Sequence, residues 1–329
     1  MNIVCTGSIA YDYLMTFPGY FKDHIIPGKL ESISLSFLVD SMVRQHGGIA
    51  ANIAYGLALL GERPYLFGTV GQDFEEYRVR LENQGVDTRG VTVIPEKYTA
   101  SFFANTDLSN AQISSFYTGA MADSANLSMH DLPFRPDLVV ISPNDPRAMN
   151  RYVAECIELG YPYLYDPSQQ LVRMDPADIR RGTQGAYALF VNDYEFELLK
   201  KHTGLTQVQI LNQVAYMVVT CGEEGARIFV KDREYHIPVA PPQQIADPTG
   251  VGDAFRGGFL TGYRLNLDWD VCGRLGALAA TYCLEQHGTQ NHAYTPAEFV
   301  ERYQVYFGVE PALDVLLRPE VQKPAPRNY

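Results

Sequence analysis

The second half of the chain alternates short apolar runs with helical patterns. Helical periodicity over residues 147–159 ends at Gly160, and further helices are expected near 269–286 and 296–307. Repeated strand–helix units of this kind predict an α/β fold, with a mostly parallel sheet covered by helices on both faces. The apolar runs that we assign to buried strands are residues 2–6, 64–70, 138–141, 161–165, 187–191 and 215–220.

Another set of segments does not fit that sheet. Residues 30–40, 98–105 and 112–117 alternate apolar and polar side chains with period two, which is typical of strands covered on one face. Together with a short strand at 91–94 they predict a small separate β-sheet, which we interpret as a lid. The segment 30–40 is expected to be an exposed strand that could pair with a partner chain.

The length of 329 residues suits one large domain or two smaller ones. We expect a single domain in which residues 13–43 and 91–120 form the β-lid and the remainder forms the core. The tail, residues 310–329, contains several prolines and is expected to be loosely ordered.

Charge and cysteine content restrict the function further. The net charge of −12 and the lack of a long basic run argue against a nucleic-acid partner. No apolar window of about 20 residues predicts a membrane span, and the first residues do not resemble a signal peptide. Five scattered cysteines without a C-x-x-C pair indicate free thiols in a reducing compartment, so we expect a cytoplasmic protein without a membrane partner.

The stretch from Asp247 to Asp253 contains a glycine turn followed by an acid and a small-residue apolar run. If residues 254–264 are helical, Thr249 to Gly252 lie at the helix N-terminus, where free N–H groups and the helix dipole favour an anion. A carboxylate beside a bound polyphosphate suggests a base for a hydroxyl that attacks phosphorus. A capped helix with a glycine turn explains the same pattern, so the motif alone leaves both interpretations open.

Several polar residues are expected where strand ends line a ligand crevice. Asp12 follows the first strand within a short loop, although a lone loop acid is more often simply solvated. Asn52 lies one turn inside a glycine-preceded, alanine-rich helix and could face a ligand, but close packing would explain those glycines equally well. Phe102 and Phe116 could sandwich a flat ring. From the pattern alone, packing within the lid is the better explanation for both.

Four motifs in order along the chain resemble those of the ribokinase-like (PfkB) family of carbohydrate and nucleoside kinases. They are Gly47-Gly48, Asn192-x-x-Glu195, Thr220-x-Gly222-x-x-Gly225 and Asp247-x-Thr249-Gly250-x-Gly252-Asp253. Residues 7–10, 34–40, 116–121, 166–171 and 288–290 also resemble bacterial adenosine kinases of the actinobacterial type. The resemblance implies a ribokinase-like three-layer α/β/α core plus a small β-sheet lid.

The resemblance implies specific roles for matching positions. Asp253 would deprotonate the ribose 5′-hydroxyl of adenosine, and the amides of Gly250, Val251 and Gly252 would form an anion hole. Asp12 would hold the ribose 2′- and 3′-hydroxyls. Further substrate contacts are implied for Ser8, Gly48, Asn52, Phe102, Phe116, Gln169, Gln170 and Arg173, and for Ser36, whose region would cross to the partner subunit of a homodimer formed through the lid strands.

The same resemblance implies the sites for ATP and metal ions. Thr220, Gly222 and Gly225 would border ATP together with Asn192. Asn192 and Glu195 would organise Mg²⁺ through water. Some family members bind K⁺ near the anion hole, and Asp247 and Thr249 are the matching candidates here.

The expected activity is ATP-dependent phosphorylation of adenosine to AMP, with Asp253 as general base. Two other functions stay open at this point. One is a kinase of the same family for another nucleoside or a sugar, and the other is a non-catalytic nucleotide-binding module. The presence of Asp253 together with Asn192 and Glu195 argues against the non-catalytic function.

Overall fold

A computed structural model describes residues 1–25 and 34–318. Within these residues the strands form two sheets, one of nine strands and one of four. The strands are β1 (Ile3–Thr6), β2 (Ala10–Thr16), β3 (Ser41–Gly47), β4 (Tyr65–Gly71), β5 (Asp87–Ile94), β6 (Ala100–Thr106), β7 (Gln112–Tyr117), β8 (Leu138–Ile141), β9 (Tyr163–Tyr165), β10 (Ala188–Asn192), β11 (Tyr216–Thr220), β12 (Ala226–Val230) and β13 (Arg233–Ile237).

The large sheet has the strand order β13-β12-β11-β10-β9-β8-β1-β4-β5. The strands from β11 to β5 run parallel, and β12 and β13 add an antiparallel hairpin at one edge. Parallel strands need helical crossovers, which cover the sheet on both faces and explain the near-continuous apolar character of these strands.

The helices lie on both faces of this sheet, as the two main apolar cores show. In β8, Leu138 and Val140 pack in a core that includes Phe259 of the helix Val251–Arg264, whereas Val139 and Ile141 pack in a second core that includes Phe196 of the helix Asp193–Thr203. The expected layering of helices, sheet and helices is therefore present. The helices are α1 (Ile49–Leu59), α2 (Glu75–Gln84), α3 (Pro146–Leu159), α4 (Pro176–Gly185), α5 (Asp193–Thr203), α6 (Gln207–Leu211), α7 (Val251–Arg264), α8 (Trp269–Leu284) and α9 (Pro296–Phe307).

The small sheet has the order β3-β2-β6-β7, with β2 parallel to β6 and the other two pairings antiparallel. Its composition differs from our expectation in two respects. The strand predicted near 91–94 is part of β5 and pairs with β4 in the large sheet. In the predicted strand 30–40, residues 34–40 form no strand, and residues 30–33 lie outside the described part. The strand β3 begins only at Ser41, because this segment is the one that pairs with β2.

Further differences concern chain ends and loops. Asp12 lies on β2 and not in a loop. The start of the tail is ordered, because a 3-10 helix at Pro311–Leu317 buries Leu313 and Leu316 in the core beside α9. Residues 319–329 lie outside the described part.

Candidate active site

A cavity of about 530 Å³ lies at the carboxyl ends of the parallel strands and is bordered by the small sheet. Such a position is expected for ligand sites in open α/β sheets. Most of the residues singled out from the sequence line it. They are Ser8, Asp12, Gly48, Asn52, Phe102, Phe116, Gln169, Gln170, Arg173, Asn192, Glu195, Thr220, Thr249, Gly250, Gly252 and Asp253.

The structure does not bring the remaining candidates to the cavity wall. Ser36 is exposed in the segment that precedes β3. Gly222 begins a short 3-10 helix after β11 and Gly225 follows it, and Val251 is the first residue of α7. Asp247 braces the loop before α7, because its carboxylate accepts the N–H groups of Thr249 at 2.9 Å and Gly288 at 3.0 Å. Burial tends to raise the pKa of Asp247, but hydrogen bonds from the side chain and backbone of Thr249 and from Gly288, with the charge of His287, hold it below its usual value.

Two glycines have backbone conformations that the site requires. Gly250 caps α7 with φ of 79°, and a Cβ there would lie 2.8 Å from the Thr289 side chain. Gly48 precedes α1 with φ of 94°, and a Cβ there would lie 2.6 Å from the Ser8 carbonyl oxygen. Because L-residues rarely adopt these angles, glycine lets each helix N-terminus open directly into the cavity.

Asp253 lies in the first turn of α7, beside those free N–H groups. Its Oδ2 accepts a hydrogen bond of 2.8 Å from Asn52 Nδ2. Burial raises the pKa of Asp253 to about 6, although Arg256 and Asn52 favour the charged form. A carboxylate with this pKa is ionised at neutral pH and is still basic enough to accept a proton.

Asp12 faces the same cavity from β2. Burial, with the negative charges of Asp247 and Asp253, raises the pKa of Asp12 to about 6. The site therefore holds two carboxylates with elevated pKa values on two different structural elements, which is characteristic of functional sites.

Phe102 and Phe116 are directly opposed neighbours on β6 and β7. They project from the same face of the small sheet, so they form one wall and not the two walls of a sandwich. The predicted sandwich is wrong in this respect, while both rings do reach the cavity. Phe116 is 46% exposed and is therefore not packed as core.

A buried ion pair at the base of the cavity was missed in the sequence. Arg256 Nη2 donates to Asp166 Oδ1 at 2.8 Å, and Arg256 Nε lies 2.7 Å from Asp166 Oδ2 without the alignment of a hydrogen bond. A Cβ on Gly252 would lie 2.9 Å from Arg256 Nη1, so the guanidinium adjoins the helix N-terminus. The signal for it was an arginine inside the small-residue run after Asp253. Other lining residues that were missed are Ala10, Ile49, Met121, Pro143 and Thr289, whereas Ser168 belongs to the polar cluster 166–171 that the sequence placed at a strand end.

Asn192 and Glu195 form the capping box of α5, which fixes both side chains at the cavity. Glu195 Oε2 accepts the Asn192 N–H at 2.8 Å, and Oε1 accepts the Ser168 hydroxyl at 2.9 Å. Each oxygen keeps a lone pair beside its one donor, so the carboxylate fits Mg²⁺ bound directly or through water. Among the described residues, no group of three or more His, Cys, Asp or Glu side chains could hold a metal by itself.

Comparison with known proteins agrees with this architecture. The model of the pfkB family carbohydrate kinases matches residues 3–296. A structure of Burkholderia thailandensis nucleoside kinase in complex with inosine is 38% identical, with a TM-score of 0.83 over 94% of this chain and 99% of that one. The nucleoside kinases of Methanothermobacter thermautotrophicus and Methanocaldococcus jannaschii are 30% and 29% identical, over 95% and 92% of this chain and 98% and 97% of their own lengths.

The fold and the site thus define a ribokinase-like α/β protein with a large, mostly parallel sheet and a small second sheet. The chain belongs to the PfkB family of carbohydrate kinases. In the part of the chain that the structure describes, no helix is long and apolar enough to cross a membrane.

Proposed function

We propose that this protein is a nucleoside kinase that transfers the γ-phosphoryl group of ATP to the ribose 5′-hydroxyl of adenosine, giving AMP and ADP. The observation that carries the proposal is the position of Asp253 in the first turn of α7, beside a glycine-capped helix N-terminus and in the same cavity as Asp12. One wall suits a phosphoryl group and the other suits a polyhydroxylated ring.

The comparisons support a nucleoside as the acceptor. Relatives that are 29%, 30% and 38% identical are named nucleoside kinases, and one Burkholderia structure is described as a complex with ADP-inosine. Adenosine in particular rests on the resemblance of residues 34–40, 116–121 and 166–171 to bacterial adenosine kinases.

In the proposed reaction the 5′-oxygen attacks the γ-phosphorus as Asp253 takes its proton. The bond from the γ-phosphorus to the bridging oxygen breaks, and ADP leaves with the electron pair. The amides of Gly250, Val251 and Gly252, together with the guanidinium of Arg256, would stabilise charge on the equatorial oxygens. Such donors contribute on the order of 3 kcal/mol each to catalysis.

The nucleoside would lie against the small sheet. Asp12 would accept hydrogen bonds from the ribose 2′- and 3′-hydroxyls, and the wall of Phe102 and Phe116 would contact the base. The other proposed substrate contacts come from Ser8, Gly48, Asn52, Gln169, Gln170 and Arg173. We also propose that the small sheet acts as a lid that excludes water during transfer.

The proposed site for ATP is bordered by Thr220, Gly222 and Gly225, next to Asn192. Asn192 and Glu195 would hold Mg²⁺ through water, and this ion would supply positive charge to the phosphate oxygens. A K⁺ site near Asp247 and Thr249 is proposed on the resemblance alone, since the Asp247 carboxylate already accepts two backbone N–H groups.

We further propose a homodimer formed through the small sheet. Leu38, Met42 and Ile113 are 86%, 62% and 43% exposed on or beside that sheet, and they would be covered by a second copy. Sedimentation velocity of the wild type and of Ile113→Lys tests this. A monomeric wild type would contradict the proposal.

The test of the proposed function is a side-by-side measurement of phosphoryl transfer from ATP to adenosine, inosine, guanosine, cytidine and ribose, with and without Mg²⁺. We expect the highest kcat/KM for adenosine, Mg²⁺ dependence, and a 5′-monophosphate as product. Higher kcat/KM for another nucleoside would retain the kinase and replace the substrate. Transfer to ribose alone would identify a sugar kinase. Nucleotide binding without any transfer would identify a non-catalytic module.

A further inference from the structure

A chain of buried polar side chains runs from the small sheet to Asp253. Asn52, Gln290 and Tyr77 are 6%, 1% and 0% exposed. Gln290 Nε2 donates to Asn52 Oδ1 at 2.8 Å and also to the Tyr77 hydroxyl, and the Tyr77 hydroxyl donates to the carbonyl of Gly47 at 3.0 Å. Asn52 Nδ2 then donates to Asp253 at 2.8 Å.

The direction of every bond in this chain follows from its first acceptor. The Gly47 carbonyl can only accept, so Tyr77 must donate its single proton to it. The Tyr77 oxygen can then only accept a hydrogen bond from Gln290, so the Gln290 side-chain nitrogen must face it. The second N–H of that nitrogen donates to Asn52, which places the Asn52 oxygen toward Gln290 and its nitrogen toward the carboxylate of Asp253.

Two further contacts hold this arrangement. Thr289 Oγ1 lies 2.9 Å from both Asn52 Oδ1 and the His46 carbonyl, and its one proton serves either acceptor. Arg80 Nη2 donates to the Gln290 carbonyl at 2.7 Å, which fixes the backbone of the loop. One N–H of Asn52 is left for the cavity that this residue lines, where it can reach a substrate oxygen.

We infer that Asn52 is a positioning residue for Asp253, and that Tyr77 and Gln290 act through it by fixing which end of its amide faces the carboxylate. The inference rests on the proposed function, since it assumes that Asp253 is the base. A donated hydrogen bond holds the carboxylate in one orientation and favours its ionised form. The turn at 288–290 thereby acquires a role that its sequence alone did not indicate.

Other charged groups also affect the pKa of Asp253, so they must stay unchanged when the Asn52 bond is tested. Arg256 on its own helix favours ionisation, whereas Glu195 of α5 and Asp12 of β2 oppose it. Arg256 is itself paired with Asp166. None of these four side chains is changed by a substitution at Tyr77 or Gln290. Because Tyr77→Phe adds no charge, a shift in the acidic limb of its kcat–pH profile reports on the Asn52 bond, whereas Gln290→Glu also places a carboxylate near Asp253.

The experiment compares Tyr77→Phe and Gln290→Glu with Tyr216→Phe as a matched control. Tyr216 is also fully buried, and its hydroxyl has no hydrogen-bond partner among the described residues. Tyr77→Phe removes the hydroxyl, which donates to Gly47 and accepts from Gln290, and Gln290→Glu replaces a donor by a group that accepts. We expect kcat to fall about tenfold and its acidic limb to move up by about one pH unit, as for the loss of one charge-assisted hydrogen bond. The KM for ATP should not change.

The outcomes separate this inference from the proposed function. If both variants keep the wild-type pH profile and kcat while Asp253→Asn is inactive, the positioning role is wrong and the base remains. If Asp253→Asn is fully active, the base assignment itself fails. A fall in kcat with an unshifted limb, or an equal change in Tyr216→Phe, would show a general packing defect and overturn the inference. Should Gln290→Glu not fold, judged by circular dichroism, Tyr77→Phe alone decides.

Discussion

The two sheets of this protein differ in how completely their strands are buried. All four residues of β8 in the large sheet are buried, and its two faces pack against two separate cores. All six residues of β7 in the small sheet are exposed. The one core cluster centred on the small sheet consists, among the described residues, of Ala10, Ala100 and Met121. Regions with so little apolar burial are the ones that open most readily in folded proteins.

This difference in burial coincides with a division of the proposed roles between phosphoryl transfer and nucleoside binding. The groups proposed to act on the phosphoryl group, Asp253 and Arg256, lie on α7, whose other residues pack in the large core. The groups proposed to hold the nucleoside, Asp12, Phe102 and Phe116, lie on the small sheet. A rigid support suits groups that need accurate alignment, whereas a less stable sheet suits groups that must admit and release a substrate.

The largest expected effect is on the rigid side of this comparison. Asp253→Asn should lower kcat by about 10² to 10⁴-fold, the contribution typical of a general base, because the amide cannot accept the hydroxyl proton. Nucleoside affinity, measured by calorimetry, should stay near that of the wild type. Loss of nucleoside binding in step with activity would mean that Asp253 holds the substrate instead.

The next test replaces one phenylalanine associated with each sheet by alanine: Phe259, which packs against the large sheet, and Phe116 of the small sheet. Phe259→Ala should destabilise the protein by about 3–5 kcal/mol, because this side chain is fully buried in the large core. Phe116→Ala removes a half-exposed ring and should leave the free energy of unfolding nearly unchanged while raising the KM for the nucleoside. Urea denaturation and steady-state kinetics of both variants test the contrast. If both substitutions lowered the free energy of unfolding by similar amounts, the proposed difference between the two sheets would be wrong.

The pH dependence gives a smaller effect. Because burial raises the pKa values of Asp253 and Asp12 to about 6, kcat/KM should fall as the pH decreases through 6. The raised pKa of Asp253 also means that its charged form disfavours folding above pH 6. Asp253→Asn should therefore raise the melting temperature more at pH 8 than at pH 5. An acidic limb near pH 4 would show that these carboxylates are ordinary.

The smallest effect concerns motion. Amides of β6 and β7 should exchange faster than those of β8, and adenosine should slow the exchange over residues 100–117 alone. Hydrogen–deuterium exchange with mass spectrometry measures both. Unchanged exchange in the small sheet on adenosine binding would argue against a lid that closes.

Local pattern predicted the large sheet well because its strands are short, apolar and separated by helices. The predicted runs at 138–141 and 187–191 match β8 and β10 closely, and the helix expected at 296–307 matches α9. Pattern was less successful for β2 and β3. Asp12 was placed in a loop and β3 was placed too early, since pairing in a half-exposed sheet depends on the register between distant strands.

The site shows the same limit. Motif spacing placed Gly250, Gly252 and Asp253 at a helix N-terminus, where the structure has them, because a helix N-terminus is a local structure. Arg256 was visible in the sequence as a charge within an apolar run, but its partner Asp166 lies 90 residues away. No spacing rule connects such a pair.

The sequence by itself determined the α/β alternation and the residues at the start of α7, because short-range backbone geometry and side-chain periodicity carry that information. The family followed from the resemblance of four ordered motifs to those of the PfkB family. Only the tertiary structure decided that Phe102 and Phe116 form one wall, and that Asn52 donates to Asp253 across 201 positions. The physical reason is that hydrogen bonds and cross-strand neighbours depend on distances of about 3–5 Å. In this chain those distances are set by the packing of α1 against α7 and of β6 against β7.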